Sequence, residues 1–342
     1  MSGVTTMPLV SVVLPVFNAA GTLPAAVASI QRQTLADWEL LVVEDGSVDG
    51  TLGIAMGLAR CDSRIRVLPQ AHGGIVAALQ RGMSEARGTF IARMDADDVS
   101  HPNRLQTQAA FLQAHAEIGL VSCLVAYGGE RAANEGYALH VDWLNTVCTP
   151  AAIRLNRFVE SPLAHPSVMF RRDLLAQHGG YAAGDFPEDY ELWLRWLEAG
   201  VGMAKVPEIL LTWQDGAQRL SRTDARYGYE AFYALKAHYL AREVQRLLSG
   251  RDLWIWGAGR PTRVRAEQLT GHGMRISGYI DIDPRKAGRR FQGRVTVLPP
   301  DIPARETAFV AGYVAKRGAR ELIRAQLCAR GFVEGRDFLM AA

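Results

Sequence analysis

The chain has 342 residues, 49% of them hydrophobic and 21% charged, with a formal net charge of +3. That length allows two domains with proper cores, and the basic residues, nearly all arginine, are spread along the chain, which gives little support to nucleic-acid binding. Cys61, Cys123, Cys148 and Cys328 are scattered with no CxxC pairing, which excludes a disulfide framework or zinc site and fits the reduced thiols of a cytoplasmic protein.

The N-terminal stretch "MSGVTTMPLVSVVLPVFNAAG" lacks a basic region, and Pro15 and Asn18 interrupt its apolar run, so it reads as neither signal peptide nor membrane span. "LVSVVLPVF" predicts a buried strand. A helix is expected from Thr22 to Gln33, with Thr22 as N-cap and Pro24 in its first turn. "WELLVVED" is a second strand, "GSVDGTLGIAMGLAR" a turn and helix, and "IRVLPQ" a third strand. "GGIVAALQRGMSEARG" has helical spacing and stops at Gly88, and "TFIARMD" is a fourth strand that runs into "DADD". Strict alternation of strand and helix implies βαβ units and a parallel sheet, in which ligands lie at the carboxyl ends of the strands. "NAA", "EDGS" and "DADD" all fall at such ends, so the acids are expected to line one cleft.

From Pro102 to Gly200 the pattern loosens, except for "FPEDYELWLRWLEAG", a helix that opens on Glu188 and Asp189. Acids there also favour a helix dipole without any catalytic role. Residues 225 to 249 read as a connecting helix. From Arg251, "DLWIWGAGRPTRVRAEQLTGHG" and "MRISGYIDIDP" outline a dinucleotide fold, with Asp281 and Asp283 closing its second strand. Thr262 replaces the third glycine after Gly257 and Gly259, and the unit is short, so a Rossmann-like accessory domain is expected rather than a redox one.

The acid cluster is the sharpest chemical signal. Hard divalent cations such as Mg²⁺ and Mn²⁺ prefer carboxylate oxygens and keep water and substrate phosphates as remaining ligands. Asp95 and Asp97 supply two carboxylates at a strand end, with Asp98 behind them; an acidic turn in which Asp98 caps the following segment is the plainer alternative.

"SVVLPVFNAAGTLPAAVASIQRQTLADWELLVVEDGSVDGT", "GTFIARMDADDVSHPNRL" and "FPEDYELWLRW", in that order, resemble the family 2 glycosyltransferases of GT-A fold over about residues 8 to 240. The resemblance implies an α/β chain with a catalytic domain over 1–240 and the small Rossmann-like domain over 251–342. It implies a nucleotide-diphosphate-sugar donor, Mn²⁺ or Mg²⁺, and inverting transfer to an acceptor hydroxyl. Pro15, Phe17 and Asn18 match the turn against the nucleotide base, with Phe17 as stacking surface, and Asp45 matches the acceptor for a pyrimidine N3–H, favouring UDP or dTDP. Glu44 departs mildly from the aspartate usual there. Asp95 and Asp97 match the metal-binding pair, with Asp97 the better ligand and Asp95 nearer the ribose. Asp189 matches the catalytic base, with Glu188 beside it at the donor.

Weaker candidates are His165 in "LAHPSVMFRR", either a contact to substrate or a strand-edge polar residue, and Arg219 and Arg222 in "QRLSR", either diphosphate-closing cations or a solvated surface. His72 reads most simply as part of a loop entering a helix. The acceptor is expected to be a carbohydrate or a lipid-linked sugar in surface polysaccharide or glycolipid synthesis, with peripheral membrane association and a homo-oligomer left open. Two alternatives stand beside this reading. One is a silent GT-A-like binding protein. The other is a sugar-1-phosphate nucleotidyltransferase, which would want a basic residue that "LPVFNAAGTLP" lacks.

Overall fold

A computed structural model describes residues 7–216 and 219–342. Residues 1–6 of the leader reading, and Gln218 of "QRLSR", lie outside the described residues. The chain divides into two compact units, Met1–Ile153 with Pro162–Asp224, and Arg154–Ser161 with Ala225–Ala342. Among the described residues, no helix is long and apolar enough to cross a membrane.

In the first unit the strands are β1 (Val10–Val16), β2 (Trp38–Glu44), β3 (Ile65–Pro69), β4 (Phe90–Arg93), β5 (Val99–Ser100), β6 (Ile118–Tyr127), β7 (Met169–Arg171) and β8 (Gly202–Trp213). The helices are α1 (Leu23–Gln31), α2 (Thr51–Cys61), α3 (Gly74–Glu85), α4 (Arg104–Ala114), α5 (Glu135–Thr146), α6 (Pro150–Asn156), α7 (Leu174–His178), α8 (Glu188–Glu198) and α9 (Leu220–Thr223). The sheet order is β3-β2-β1-β4-β7-β6-β8-β5. β3, β2, β1 and β4 are parallel, β7 runs antiparallel to β4 and β6, and β8 is parallel to β6. This mixed α/β sheet has the GT-A layout expected.

β1 and β2 are buried along their whole length because both faces of the parallel half are covered. Val12, Leu14, Leu40 and Val42 enter one core and Val13 and Leu41 the other, the period-2 alternation of a strand between two layers. Gly82 lets α3 lie flush on β1, since a Cβ there would sit 2.5 Å from Val13 Cγ1.

Some local expectations shift. α1 ends at Gln31, and its N-cap residue Thr22 makes no side-chain cap, its hydroxyl reaching only Ala19 O at 3.5 Å. α3 ends at Glu85, three residues before Gly88. β6, inside the stretch read as loose, pairs with β8 just beyond it from Ile118↔Gly202 to Tyr127↔Trp213, and the two strands carry the other half of the sheet.

The second unit holds α10 (Tyr229–Leu248), β9 (Asp252–Trp256), α11 (Arg260–Glu267), β10 (Ile276–Ile280), β11 (Arg290–Phe291), β12 (Arg294–Val297), β13 (Ala308–Gly312), α12 (Ala319–Ala329) and β14 (Phe338–Met340). The helix read as a connector therefore belongs to this unit, preceded by a 3-10 turn at Ala225–Tyr227. The sheet order is β11-β12-β10-β9-β13-β14, parallel except for the edge strand β11. Strand order reverses at β9, the first strand in sequence.

Candidate active site

Four parallel strands end on one side of the first sheet and deliver its polar residues there. β1 is followed by Phe17 and Asn18, β2 by Asp45, β3 by Gln70 and His72, and β4 by Asp95 and Asp97. Asn18 adopts the left-handed φ of 49°, which asparagine tolerates. Its backbone N–H donates to Ser47 Oγ at 2.9 Å and its Oδ1 accepts from Val48 N at 2.9 Å, so it ties the first loop to the second. Glu44 is buried and accepts from Ser47 N at 2.6 Å, holding the same turn.

Asp45 is 3% exposed and its carboxylate is fully engaged. Oδ1 accepts from Gln70 Nε2 at 2.6 Å and Gly73 N at 2.9 Å, while Oδ2 accepts from Gly74 N at 2.8 Å and pairs with His72 Nδ1 at 2.9 Å. The His72 ring stacks on Phe17. Pro15 is buried within β1 opposite Val43, so contact with a base would run through its backbone.

Asp95, Asp97 and Asp98 bring carboxylate oxygens within 4.8 Å of one another. Asp98 is 1% exposed; its Oδ1 accepts from Gln214 N at 2.8 Å, whereas its buried Oδ2 has no hydrogen-bond partner among the described residues. Burial first, then Asp95 and Asp97, push the Asp98 carboxyl well above the usual carboxylate range. Asp97 is raised by the same two causes, burial and Asp95, against the pull of Arg219. Crowded carboxylates at a strand end, with Asp95 and Asp97 only partly buried, are an all-oxygen donor set suited to a hard divalent cation, so the residues present fit Mn²⁺ or Mg²⁺. Beneath them Arg93, only 3% exposed, pairs with Asp95.

α8 starts at Glu188 after the N-cap Pro187, which places Asp189 in its first turn with Oδ1 accepting from Tyr190 N at 2.7 Å. Burial, then the Glu188 charge, raise the Asp189 carboxyl to about 7, with Arg93 acting in the opposite direction. The like-charge effect expected of Glu188 is present but second to burial. Glu188 itself is buried, with His165 Nδ1 4.0 Å from its Oε1. His165 bonds Tyr181 Oη through Nε2 at 2.6 Å, and burial followed by Arg93 holds its imidazole well below its ordinary value. It lies in the 3-10 turn before β7 as a buried neutral ring.

Arg219 lies over the Trp213 and Tyr137 rings at 4.5 and 5.0 Å, and its charge acts on Asp97 and Asp98. Arg222 is paired with Asp215 at 2.5 Å, which also accepts from Tyr127 Oη at 2.6 Å. Of the two arginines, Arg219 is the one whose charge is felt by Asp97 and Asp98. Sequence reasoning passed over Gln70 and Arg93 as site residues and read His72 as plain loop. Gln70 and His72 follow β3 at the same sheet edge, a position that the parallel-strand rule already marks.

The model of the family described as Glycosyl transferase family 2 matches residues 11–179. The Bacillus subtilis protein named as glycosyltransferase EpsE is 30% identical over 228 residues, 65% of this chain and 79% of that one. The O-antigen biosynthesis glycosyltransferase WbnJ of Escherichia coli is 26% identical over 250 residues, covering 71% and 94%. Among solved structures, S. aureus TarS 1-349 with UDP-GlcNAc matches with TM-score 0.52 at 17% identity over 77% of this chain and 70% of that one. The Pyrobaculum calidifontis mannosyltransferase PcManGT with GDP-Man and Mn²⁺ matches with TM-score 0.50 at 19% identity over 77% and 69%. The fold is the GT-A fold of these transferases. The chain belongs to glycosyltransferase family 2 and is a glycosyltransferase.

Proposed function

We propose that this enzyme is an inverting, divalent-metal-dependent glycosyltransferase acting from the cytoplasm. It would move a sugar from UDP or dTDP to a hydroxyl of a carbohydrate or lipid-linked acceptor in surface polysaccharide or glycolipid synthesis. The observation that carries this reading is one buried guanidinium with influence on two groups. Arg93 pairs with Asp95 and acts electrostatically on Asp97 and on Asp189, which supports assigning the acid cluster and the raised carboxyl to one site.

Asp189, with its carboxyl near 7, is matched to taking a proton from an acceptor hydroxyl at neutral pH. A single base opposite the leaving group gives one displacement with inversion, the geometry inverting glycosidases use with water. Asp97 and Asp95 would hold the cation, which when bound supplies Lewis-acid neutralisation of the departing diphosphate. Arg219, whose charge acts on the same carboxylates, adds a positive charge to that side of the site.

Base selection falls to Asp45. Two of its four donors are backbone N–H groups, but Gln70 and His72 are side chains able to swing away. A uracil or thymine N3–H taking the place of one of them would keep the carboxylate satisfied. The synthesis role rests on the named relatives, WbnJ among them. Calorimetry of UDP, dTDP and GDP with Mn²⁺ and with EDTA tests the reading. UDP or dTDP should bind most tightly and only with metal, and a GDP preference or equal affinity in EDTA would overturn it.

A further inference from the structure

The chain's small net charge conceals a segregation. Residues 225–342 carry 21 Lys and Arg against 11 Asp and Glu, whereas residues 1–224 carry 17 against 24. The basic residues form no runs, so reading along the chain does not reveal it. Charge asymmetry between two parts of one chain points to a polyanionic or membrane partner for the basic part.

The fold of the second unit gathers part of that excess at one end. β10, β9 and β13 are adjacent parallel strands, so the loops after them leave the same edge of the sheet, about 5 Å apart per strand. Arg260 follows β9, and Lys316 and Arg317 follow β13, all exposed. Arg289, also exposed, sits beside the end of β12 through the bond from Thr296 N to its carbonyl. None of these four has an acidic partner among the described residues. The two aspartates at this edge are already neutralised, Asp281 by Lys286 at 2.7 Å and Asp283 by Arg285 at 2.9 Å.

Large aliphatic side chains stand exposed among these cations. Ile282 is 71% exposed in the loop after β10, Val264 63% one turn into α11, and Leu322 65% in the first turn of α12. Both helices start at this edge, so all three lie within about 6 Å of it along the helix axes. Basic side chains interleaved with exposed aliphatic ones are the composition of an interfacial membrane surface.

The crevice at the strand reversal does not compete as a phosphate pocket. Gly257 N is spent on Ile280 O at 2.7 Å and Ala258 N on Asp281 Oδ2 at 2.9 Å, and a Cβ on Gly257 would meet Thr262 at 2.8 Å and Val314 at 3.0 Å. A nucleic acid would want aromatic faces for its bases, and the exposed apolar residues at this edge are aliphatic.

We propose that the edge of the second unit formed by Arg260, Ile282, Arg289, Lys316 and Arg317 docks on the anionic surface of a phospholipid bilayer. This reaches beyond the transfer reaction and does not depend on the donor or metal assigned above, since it is read without substrate. The test is co-sedimentation of the full chain with vesicles of phosphatidylcholine alone or mixed equally with phosphatidylglycerol. The protein should pellet with the anionic vesicles only, and added salt should release it. Each basic residue near such a surface is worth about fivefold in partitioning. The triple variant Arg260→Glu, Lys316→Glu, Arg317→Glu should therefore bind on the order of 100-fold more weakly, with an unchanged melting temperature because all three sites are exposed. Ile282→Ser should weaken binding while keeping the preference for anionic lipid. Equal pelleting with neutral vesicles, undiminished binding of the triple variant, or no effect of Ile282→Ser would overturn the proposal. Displacement from vesicles by a single-stranded oligonucleotide at low concentration would overturn it in favour of a nucleic-acid surface.

Discussion

Phe17 and His72 stack with ring centroids 4.1 Å apart and planes 24° from parallel, and the same His72 holds the buried Asp45 carboxylate at 2.9 Å. One aromatic surface and one acceptor are thus linked through a single imidazole at the ends of β1, β2 and β3. Phe17 is still 44% exposed, which leaves area for a nucleotide base. Stacking of a base on an aromatic ring is worth about 1–3 kcal/mol. Phe17→Ala should therefore weaken UDP binding by about 5- to 150-fold, with Phe17→Tyr close to the parent. Calorimetry with Mn²⁺ reads both, and an unchanged affinity for Phe17→Ala would remove this ring from the donor site.

Asp189 gives a prediction in pH. Its carboxyl is raised to about 7 and must be ionised to act as base, so kcat/KM should rise with pH up to about 7 and then level. Glu188→Gln removes the second cause of the shift, so the acid limb should move to lower pH. Asp189→Asn should leave UDP affinity near the parent and lower kcat by ~10²-fold or more. Stability follows the same shift. A folded-state carboxyl raised from 3.8 to about 7 makes the native state bind more protons than the unfolded chain between those values. Its burial therefore costs nothing below about pH 4, and stability is lost as pH rises through that window. Asp189→Asn should melt higher than the parent at pH 8 and alike at pH 4. The reverse order would contradict the raised carboxyl.

Asp97 and Asp98 differ in what surrounds them, and substitutions should separate them. Asp97→Ala should abolish the metal dependence of UDP binding. Asp98 sits on Gln214 N with its other oxygen buried, and its carboxyl is held well above the usual range. Asp98→Asn keeps an acceptor of the same shape for that N–H and should retain both melting temperature and Mn²⁺-dependent binding. Asp98→Ala strands the N–H and should cost about 1–3 kcal/mol in denaturant unfolding. Equal loss of metal dependence in Asp97→Ala and Asp98→Asn would mean that Asp98 is itself a ligand.

Much of this site was legible because β1, β2 and β4 are short apolar runs whose ends carry Asn18, Asp45 and Asp95, and parallel strands place those ends together. The local pattern could not reveal partners chosen across the sheet. Arg93 stands at the end of the fourth strand with nothing local to mark what covers it, yet β7 pairs beside β4 and the guanidinium is buried and paired with Asp95. Gln70 reads as the end of the third strand and His72 as an ordinary loop, because nothing nearby in sequence announces the carboxylate they hold, 25 to 27 residues earlier. The second-unit segment 154–161 was equally hidden, since a short stretch carries no periodicity to say which core it joins.

That segment changes what a deletion should do. Lys236, in the middle of α10, is 1% exposed and donates to Ala341 O at 3.0 Å and Val159 O at 3.3 Å. Arg157 pairs with Glu243 of the same helix at 2.9 Å, and Arg324 of α12 donates to Asn156 Oδ1 at 3.1 Å. Cutting after Ser249 would leave α10 and residues 154–161 without the sheet that buries them. Tyr239, Leu240, Ala241 and Val244, all buried in the whole chain, would lose cover together. Burying Leu240 or Val244 alone is worth about 1.5–3 kcal/mol, and most domains are stable by only about 5–15 kcal/mol, so the joint exposure removes a large share of that margin. A chain ending at residue 249 is therefore expected to be insoluble or to melt well below the full chain. The single substitution Lys236→Ala should be milder, because it removes one buried cation along with its two bonds. Burial holds that ammonium down at about 7, so in the folded chain it is half neutral near pH 7. A lowered folded value makes the unfolded chain bind more protons between 7 and 10.5, so the burden of burying Lys236 is relieved as pH rises through that window. Lys236→Ala should then lose more stability relative to the parent at pH 9 than at pH 6, measured by denaturant unfolding at both values. A soluble 1–249 fragment with the parent's melting temperature would show that the second unit does not depend on its own sheet.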